Sequence, residues 1–332
     1  MTNTIRPQSP KLSVVIPCYN EELMLPLMQE RLVPALSALG VDWEVIFVDD
    51  GSRDRTRDIA RRLHQQEPRL KLVALSRNFG HQAALNAGLA HAHGDAIAML
   101  DADLQDPPEL LAECLAKWRE GADVVYAVRT HRKESLWKRF CYASFYRLLR
   151  GLAAVDMPLD SGDFCLIDRR VADVLRSMPE QNAFLRGLRS WCGFRQVGLE
   201  YERAERAAGE TKYPLRALFR LASDGIFSFS TFPLRLSIYL GLLMVICCLG
   251  MGLFVLLWRV VGFEFLGHAP SQVPGWAGAT IILLFLGGVQ LTQLGLQGEY
   301  IARIYEEVKH RPRWIEAEVL GDAPHADIPP RS

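Results

Sequence analysis

The sequence has no excess of charge of either sign: 38 Lys and Arg stand against 38 Asp and Glu in 332 residues. That balance argues against a general nucleic-acid surface, so no nucleic-acid partner is expected and the basic residues are read locally. There is no C-x-x-C pair and no His/Cys set at zinc spacing. The seven cysteines are scattered. Cys18, Cys114, Cys165 and the Cys247–Cys248 pair stand in apolar stretches, where cysteine behaves as a small hydrophobe. The lack of a disulfide framework fits a reduced, cytosolic soluble part. The opening MTNTIRPQSPKL has no apolar h-region, so no signal peptide is expected and the first half should start in the cytosol. Internal repeats and low-complexity tracts are missing too, and with them any case for a repeat architecture.

What the chain does have is two long uncharged runs. Between Arg235 and Arg259 lies IYLGLLMVICCLGMGLFVLLW, long enough to cross a hydrocarbon core of roughly 30 Å. The second, from Pro270 to Gly298, contains WAGATIILLFLGGVQLTQLGL. Trp258 and Trp276 sit at the ends that face each other across the connection, as an interfacial belt would place them. Two transmembrane helices are expected.

Arg203, Arg206, Lys212, Arg216, Arg220 and Arg235 precede the first run, and Arg303, Lys309, Arg311 and Arg313 follow the second. The connection carries only Arg259. The positive-inside rule then puts both termini in the cytosol and residues 260–274 in a short outer loop. The segment PLRALFRLASDGIFSFSTFPLR (214–235) mixes Arg with Leu and Phe and reads as an interfacial helix. The domain reading is a cytosolic catalytic domain over 1–213, an interfacial region over 214–233 and a two-span domain over 234–298. Residues 299–332 form a cytosolic tail, expected to be poorly ordered after Trp314.

Residues before 200 alternate between two patterns. The runs LSVVIP (12–17), WEVIFVDD (43–50), LKLVALS (70–76), DAIAML (95–100) and DVVYAV (123–128) read as buried parallel strands. Helical stretches lie between them at Glu22–Gly40, Arg55–Gln66 and Gly80–His93. Alternation at this spacing predicts an α/β protein with a doubly wound sheet. Its ligand site should lie off the carboxyl ends of the strands.

The motifs that carry chemistry fall there. In IPCYNEE, Ile16–Glu22, Pro17 fixes a turn, Tyr19 can stack on a base, and Glu21 and Glu22 are placed to open a helix. VDDGSRDRT, Val48–Thr56, ends a strand on two carboxylates; Asp50 is the functional candidate, with Ser52 or Asp54 as helix caps. In LDADLQDPP, Leu100–Pro108, Asp101 and Asp103 share a face if the strand continues through Ala102. With Gln105 they offer oxygen ligands to Mg²⁺ or Mn²⁺, ions that take few protein ligands and leave the rest to water and phosphate. Asp106–Pro107–Pro108 should stop the strand.

Further on, SGDFCLIDRR (161–170) places Asp163 beside a glycine on the approach to a strand. ERAERAAGETKYPLRAL (202–218) is basic and precedes the first span. There Arg206 and Lys212 suit a diphosphate or a lipid phosphate, or anchor the chain to anionic lipid. Arg129 and Arg132 are further anion-binding candidates. His81, His91 and His93 have no carboxylate at ligand spacing and read as structural or solvated.

IPCYNEE, VDDGSRDRT, SRNFGHQAALNAGL and LDADLQDPP together resemble family-2 glycosyltransferases of the polyprenyl-phosphate branch. The likeness continues through SGDFCLIDRR, MPEQNAFLRGLRSWCGF, ERAAGETKY, FSFSTFPLR and GEYIARIYEEVKHRPRW, roughly residues 10–315. It looks strongest toward bacterial undecaprenyl-phosphate glucosyltransferases of O-antigen (lipopolysaccharide) glucosylation.

The resemblance implies a GT-A fold, inversion at the anomeric carbon, an oligomer (often a tetramer) and a bacterial inner-membrane location. It implies a nucleotide-sugar site of Pro17, Tyr19, Glu21, Val48, Asp50, Asp101, Ala102, Arg129 and Lys212. Asp101, Asp103 and Gln105 fall on its metal and diphosphate positions. Arg132, Arg206 and Lys212 are placed at the acceptor phosphate, and Asp103, Asp163 and Arg206 at the chemistry, Asp163 as base or orienting group. Thr211 stands where Ser is common, which keeps the hydroxyl. The implied donor is UDP-glucose, the acceptor undecaprenyl phosphate, and the setting membrane lipid.

Transfer of mannose or an aminoarabinose derivative is the alternative within the branch. A processive synthase would carry Q-x-x-R-W and more spans; HRPRW (310–314) lacks the Gln and follows the last run. A non-catalytic scaffold or lipid-sugar flipping partner would be favoured by loss of a metal carboxylate, yet Asp101, Asp103 and Gln105 are all present.

Overall fold

The computed structural model describes residues 6–129, 161–180, 184–201, 232–262 and 275–321. By its internal contacts the chain forms two units, Met1–Gly225 with His310–Ser332, and Ile226–Lys309.

The first unit begins as the sequence predicts. Strands β1 (Lys11–Cys18), β2 (Asp42–Asp49), β3 (Leu70–Leu75) and β4 (Ala96–Met99) alternate with helices α1 (Met24–Ala38), α2 (Thr56–Gln66) and α3 (His81–His91). β1 pairs in parallel with β2 and β4, and β2 with β3. Their side chains are buried almost without interruption, as parallel strands covered on both faces must be. α3 packs so closely that a Cβ at Gly88 would lie 2.3 Å from Val15 Cγ1.

After α4 (Leu110–Arg119) the topology departs from a doubly wound parallel sheet. β5 (Val124–Arg129) does not join β4. Strand β6 (Ser161–Asp168) runs antiparallel between them, and β7 (Gln196–Tyr201) adds in parallel outside β5. Helices α5 (Arg169–Ser177) and α6 (Leu185–Trp191) lie between β6 and β7 in sequence. The far edge is closed by β8 (Glu316–Leu320), antiparallel to β3, giving the order β7-β5-β6-β4-β1-β2-β3-β8. The result is a mixed, GT-A-like α/β sheet. β8 corrects the expectation that the chain is poorly ordered after Trp314: it is an edge strand, fixed by the Arg61–Glu318 fork at 2.6–3.1 Å and by Ile315 accepting from Ser76 N.

At the amino edge of the strands sits a buried ionic knot. Glu44, 1% exposed, accepts from Ser13 Oγ at 2.5 Å and from His93 N at 2.8 Å, and pairs with Lys11 and Lys71 at 2.8 Å each. It ties β1, β2, β3 and the α3–β4 turn together, away from the carboxyl edge where ligands are expected.

The second unit contains two helices, α7 (Phe232–Val261) and α8 (Gly275–Val308). Gln293 Nε2 on α8 donates to Ser237 O on α7 at 2.8 Å. Among the described residues one helical stretch, Ser237–Trp258, is long and apolar enough to cross a membrane. Leu249 on α7 is 69% exposed and Leu291 on α8 71%, so these helices leave apolar side chains without protein cover. The segment 214–231, most of the expected outer loop, and residues 322–332 lie outside the described residues.

Candidate active site

Three strand-to-helix loops meet at the carboxyl edge. After β1, Tyr19 is 43% exposed. Asn20 adopts φ 57°, a conformation Asn tolerates better than most residues. Its amide donates to Ser52 Oγ at 3.0 Å and its side-chain oxygen accepts from Arg53 N at 2.9 Å. Glu21 N donates to Thr56 Oγ1, and Glu22 N to Asp54 Oδ2. The first and second loops are thus stitched to each other. Glu21 and Glu22 stand before α1 and do not open it; the helix starts at Met24 and has no acidic residue in its first turn. Neither expected cap holds the N-cap of α2, which is Arg55; Asp54 accepts from Thr56 N at 3.0 Å just ahead of the helix, and Ser52 serves the first loop.

The adjacent carboxylates of the second loop have divided tasks. Asp49 accepts from Ser52 N and Arg57 Nε. Asp50, 3% exposed, accepts from Phe79 N at 2.7 Å and Gly80 N at 2.9 Å, so it holds the third loop. Burial, opposed by those two hydrogen bonds, raises its pKa. Between them Gly51 takes φ 67°, and a Cβ there would lie 2.3 Å from Arg77 C. Only glycine fits. Pro17 and Val48 lie paired within β1 and β2, their side chains buried.

β4 ends at Met99, so the condition that Asp101 and Asp103 share a face through a continuing strand is not met. A turn brings them to the edge instead. Asp103 Oδ1 accepts from Gln105 N at 3.1 Å. Leu104 takes φ 54°, a strained choice for a non-glycine residue that costs about 1–3 kcal/mol and tends to occur at functional sites. Ala102 is buried. The buried Asp106 accepts from Tyr201 Oη, which moors the turn to the end of β7.

Asp163 lies inside β6, not on the approach to it. Met99 pairs with Cys165 at the end of the antiparallel ladder; Asp101, two residues past β4, and Asp163, two residues before Cys165, meet around His81. Reversal of β6 is what puts a residue from its start beside residues at the end of β4. Arg186 on α6 donates from Nη2 to Asp163 Oδ1 at 3.1 Å. His81, the first residue of α3, places Nε2 3.4 Å from Asp163 Oδ2 and 3.7 Å from Asp101 Oδ1. His81 is therefore neither merely solvated nor remote from carboxylates, as its local sequence suggested. His91 is buried, with Nε2 3.0 Å from Glu316 Oε1.

The charges in this group are strongly coupled. Burial raises the Asp101 pKa to about 6; His81 opposes this, while Asp163, Asp103 and Asp106 add to it. Burial also acts to raise Asp163, but the hydrogen bond from His81 and the Arg186 charge outweigh it and hold the group well below the usual carboxylate range. For His81, burial disfavours the cation, yet Asp163 and Asp101 together raise the pKa. Asp163 is an anion with both oxygens engaged. At Asp101 burial and three neighbouring carboxyls disfavour the charge, with His81 opposing them.

That donor set suits a hard divalent cation: two carboxylates in one turn with an amide nearby, and excess negative charge for the ion to relieve. Among the described residues no three His, Cys, Asp or Glu side chains converge as a closed cage, and Mg²⁺ and Mn²⁺ need none. Arg129 ends β5 on the same edge. Arg132, Arg206 and Lys212 lie outside the described residues.

The glycosyl transferase family 2 model matches residues 13–176, the span that holds the three loops, Asp101, Asp103 and Asp163, while Arg186, Tyr201 and Glu316 lie beyond it. An uncharacterized glycosyltransferase of Bacillus subtilis strain 168, YkcC, is 46% identical over 310 residues, covering 93% of this chain and 94% of that one. The chain belongs to glycosyltransferase family 2. This glycosyltransferase is also 39% identical over 306 residues to the prophage bactoprenol glucosyl transferase homolog of Escherichia coli K12, covering 92% of this chain and 98% of that one. Among solved structures it is similar to the mannosyltransferase PcManGT of Pyrobaculum calidifontis, solved with GDP-Man and Mn²⁺, at TM-score 0.46 and 23% identity over 66% of this chain and 64% of that one.

Two residues of the site were not legible as such. Arg186 gave no signal: it is one arginine among several on a short helix. His81 did have one, since it follows the end of β3 just as the other motifs follow their strands.

Proposed function

We propose that this glycosyltransferase moves one sugar, glucose from UDP-glucose, onto undecaprenyl phosphate at the cytosolic face of a bacterial inner membrane. The observation that carries the reading is the meeting of Asp101, in the turn it shares with Asp103, and Asp163 around His81 at one sheet edge, in a chain 39% identical to a bactoprenol glucosyl transferase homolog over nearly its whole length. Ser237–Trp258 and the exposed apolar faces of α7 and α8 support a two-span anchor in lipid.

Tyr19, Glu21 and Asp50 would receive the nucleotide, Tyr19 by its exposed ring and Asp50 by fixing the third loop beside it. Asp101, Asp103 and Gln105 would hold Mg²⁺ or Mn²⁺, which supplies charge neutralisation at the departing diphosphate. Arg129, Arg132, Arg206 and Lys212 would take phosphate oxygens of donor and acceptor, the arginines by planar forks and Lys212 as a point charge. A phosphomonoester acceptor, with a second pKa of about 6, is largely a dianion near neutrality and needs no strong base. Asp163, already ionised and held from two sides, then orients the acceptor. The site's contribution is in-line placement and electrostatic stabilisation of an oxocarbenium-like centre.

The test is a donor panel. Purified full-length protein in lipid nanodiscs is given undecaprenyl phosphate and UDP-glucose, UDP-galactose, GDP-mannose or UDP-aminoarabinose derivatives, with Mg²⁺, Mn²⁺ or a chelator. Glucosyl lipid formed with either metal and lost with chelator supports the proposal. Transfer only from another donor overturns the sugar assignment, and full activity in chelator overturns the metal.

A further inference from the structure

We propose that His81 is a positioning residue of sugar transfer, standing between Asp101 and Asp163 and setting their spacing. The inference rests on glycosyl transfer taking place at this site.

Asp101, in the turn just past β4, and Asp163, near the start of β6, lie on either side of one imidazole, and two carboxylates so placed repel unless something lies between them. The Nε2 atom of His81 is the group the fold puts there, 3.7 Å from one and 3.4 Å from the other. The outer oxygen of Asp163 is taken by Arg186, so this carboxylate is clamped from both sides.

The clamp is held as a unit. Gln82 Oε1, one residue after His81, accepts from Leu185 N, one residue before Arg186. Gln82 O accepts from Asn86 Nδ2 at 2.8 Å, which stiffens the first turn of α3. The two side chains that grip Asp163 therefore reach it from helices whose first turns are bonded to each other.

A packing role alone does not account for His81. Its side chain is 44% exposed, whereas the histidine at the other end of the same helix, His91, is 1% exposed and bonded to β8. Removing the imidazole deletes little buried surface. It does remove the group that spaces Asp101 from Asp163, and a displacement near 1 Å at reacting groups can cost about 100-fold in rate.

The test compares H81A and H81Q with the wild-type chain in nanodiscs. The glutamine amide reaches the place of the imidazole Nε2. H81A should lower kcat about 100-fold, with donor KM changed less than about threefold, because ground-state donor binding is not its task. Its thermal unfolding midpoint should stay within about 3 °C of wild type, as for an exposed substitution. H81Q should recover at least about tenfold of the lost kcat by restoring one hydrogen bond. Wild-type kcat in H81A overturns the inference, as does a loss confined to donor KM or an H81Q no better than H81A. If the wild-type chain transfers no sugar from any donor, the functional reading falls and this inference with it; an active wild type with an unaffected H81A removes this inference alone.

Discussion

The carboxylates of the site differ in what their surroundings let them do. Asp50 and Asp49 spend their oxygens on backbone amides and an arginine, Asp163 is gripped by His81 and Arg186, and Asp101 and Asp103 stand together in the turn after β4. Asp103→Ala should therefore abolish transfer, lowering kcat by at least about 10²–10³-fold, measured as lipid-linked product per unit time, with the fold intact by circular dichroism. Glu44 makes the opposite kind of prediction, about stability. Its surroundings pull its pKa from 4.5 to about 2 despite burial, through Lys11, Lys71, Ser13 and the His93 amide. A depressed folded-state pKa means stabilisation of about 3 kcal/mol that is complete above the unfolded pKa and disappears as pH falls from about 4.5 through about 2. Urea unfolding across that range should show this loss, and Glu44→Gln should flatten it while lowering stability at neutral pH. At this scale the sequence showed what lay next to an apolar strand and little else. Asp101 and Asp50 were visible because each follows such a run. His81 was misread because its two carboxylate partners arrive from β4 and β6, one of which runs backwards.

The first four strands were legible because their apolar runs are uninterrupted, and their bounds match to within a residue or two. β6 shows why topology was harder: its composition is that of a buried strand, and nothing in SGDFCLID states that it inserts antiparallel between β4 and β5. β8 was mistaken for tail since EAEVL carries two acids, yet charge is common on an edge strand, where it blocks pairing with other chains. Ending the chain at Arg311 should uncover the β3 edge and remove the Arg61–Glu318 and His91–Glu316 pairs. We expect a lower unfolding midpoint and concentration-dependent association by light scattering, against a monodisperse full-length control. Gly51→Ala tests the loops at the other edge. Its Cβ would collide with the Arg77 backbone at a positive φ, so the third loop must shift. The cost should be about 1–3 kcal/mol in stability, with weaker nucleotide binding by calorimetry.

For the whole molecule, the chain pairs a GT-A-like sheet with a helical unit that exposes many apolar side chains among the described residues. Two lines bear on its function: the carboxylate edge suits a nucleotide-sugar, and the uncovered helices suit a lipid environment. Both long apolar runs were legible as helices, and one of them, Ser237–Trp258, is long and apolar enough to cross a membrane. The two requirements meet in one product. Purified full-length protein with UDP-glucose, Mn²⁺ and undecaprenyl phosphate should yield, by mass spectrometry of the extracted lipid, undecaprenyl phosphate carrying a single hexosyl unit, at all times and donor concentrations. Lipid carrying a lengthening sugar chain, or UDP-glucose turned over with the polyprenyl phosphate unmodified, would contradict the account.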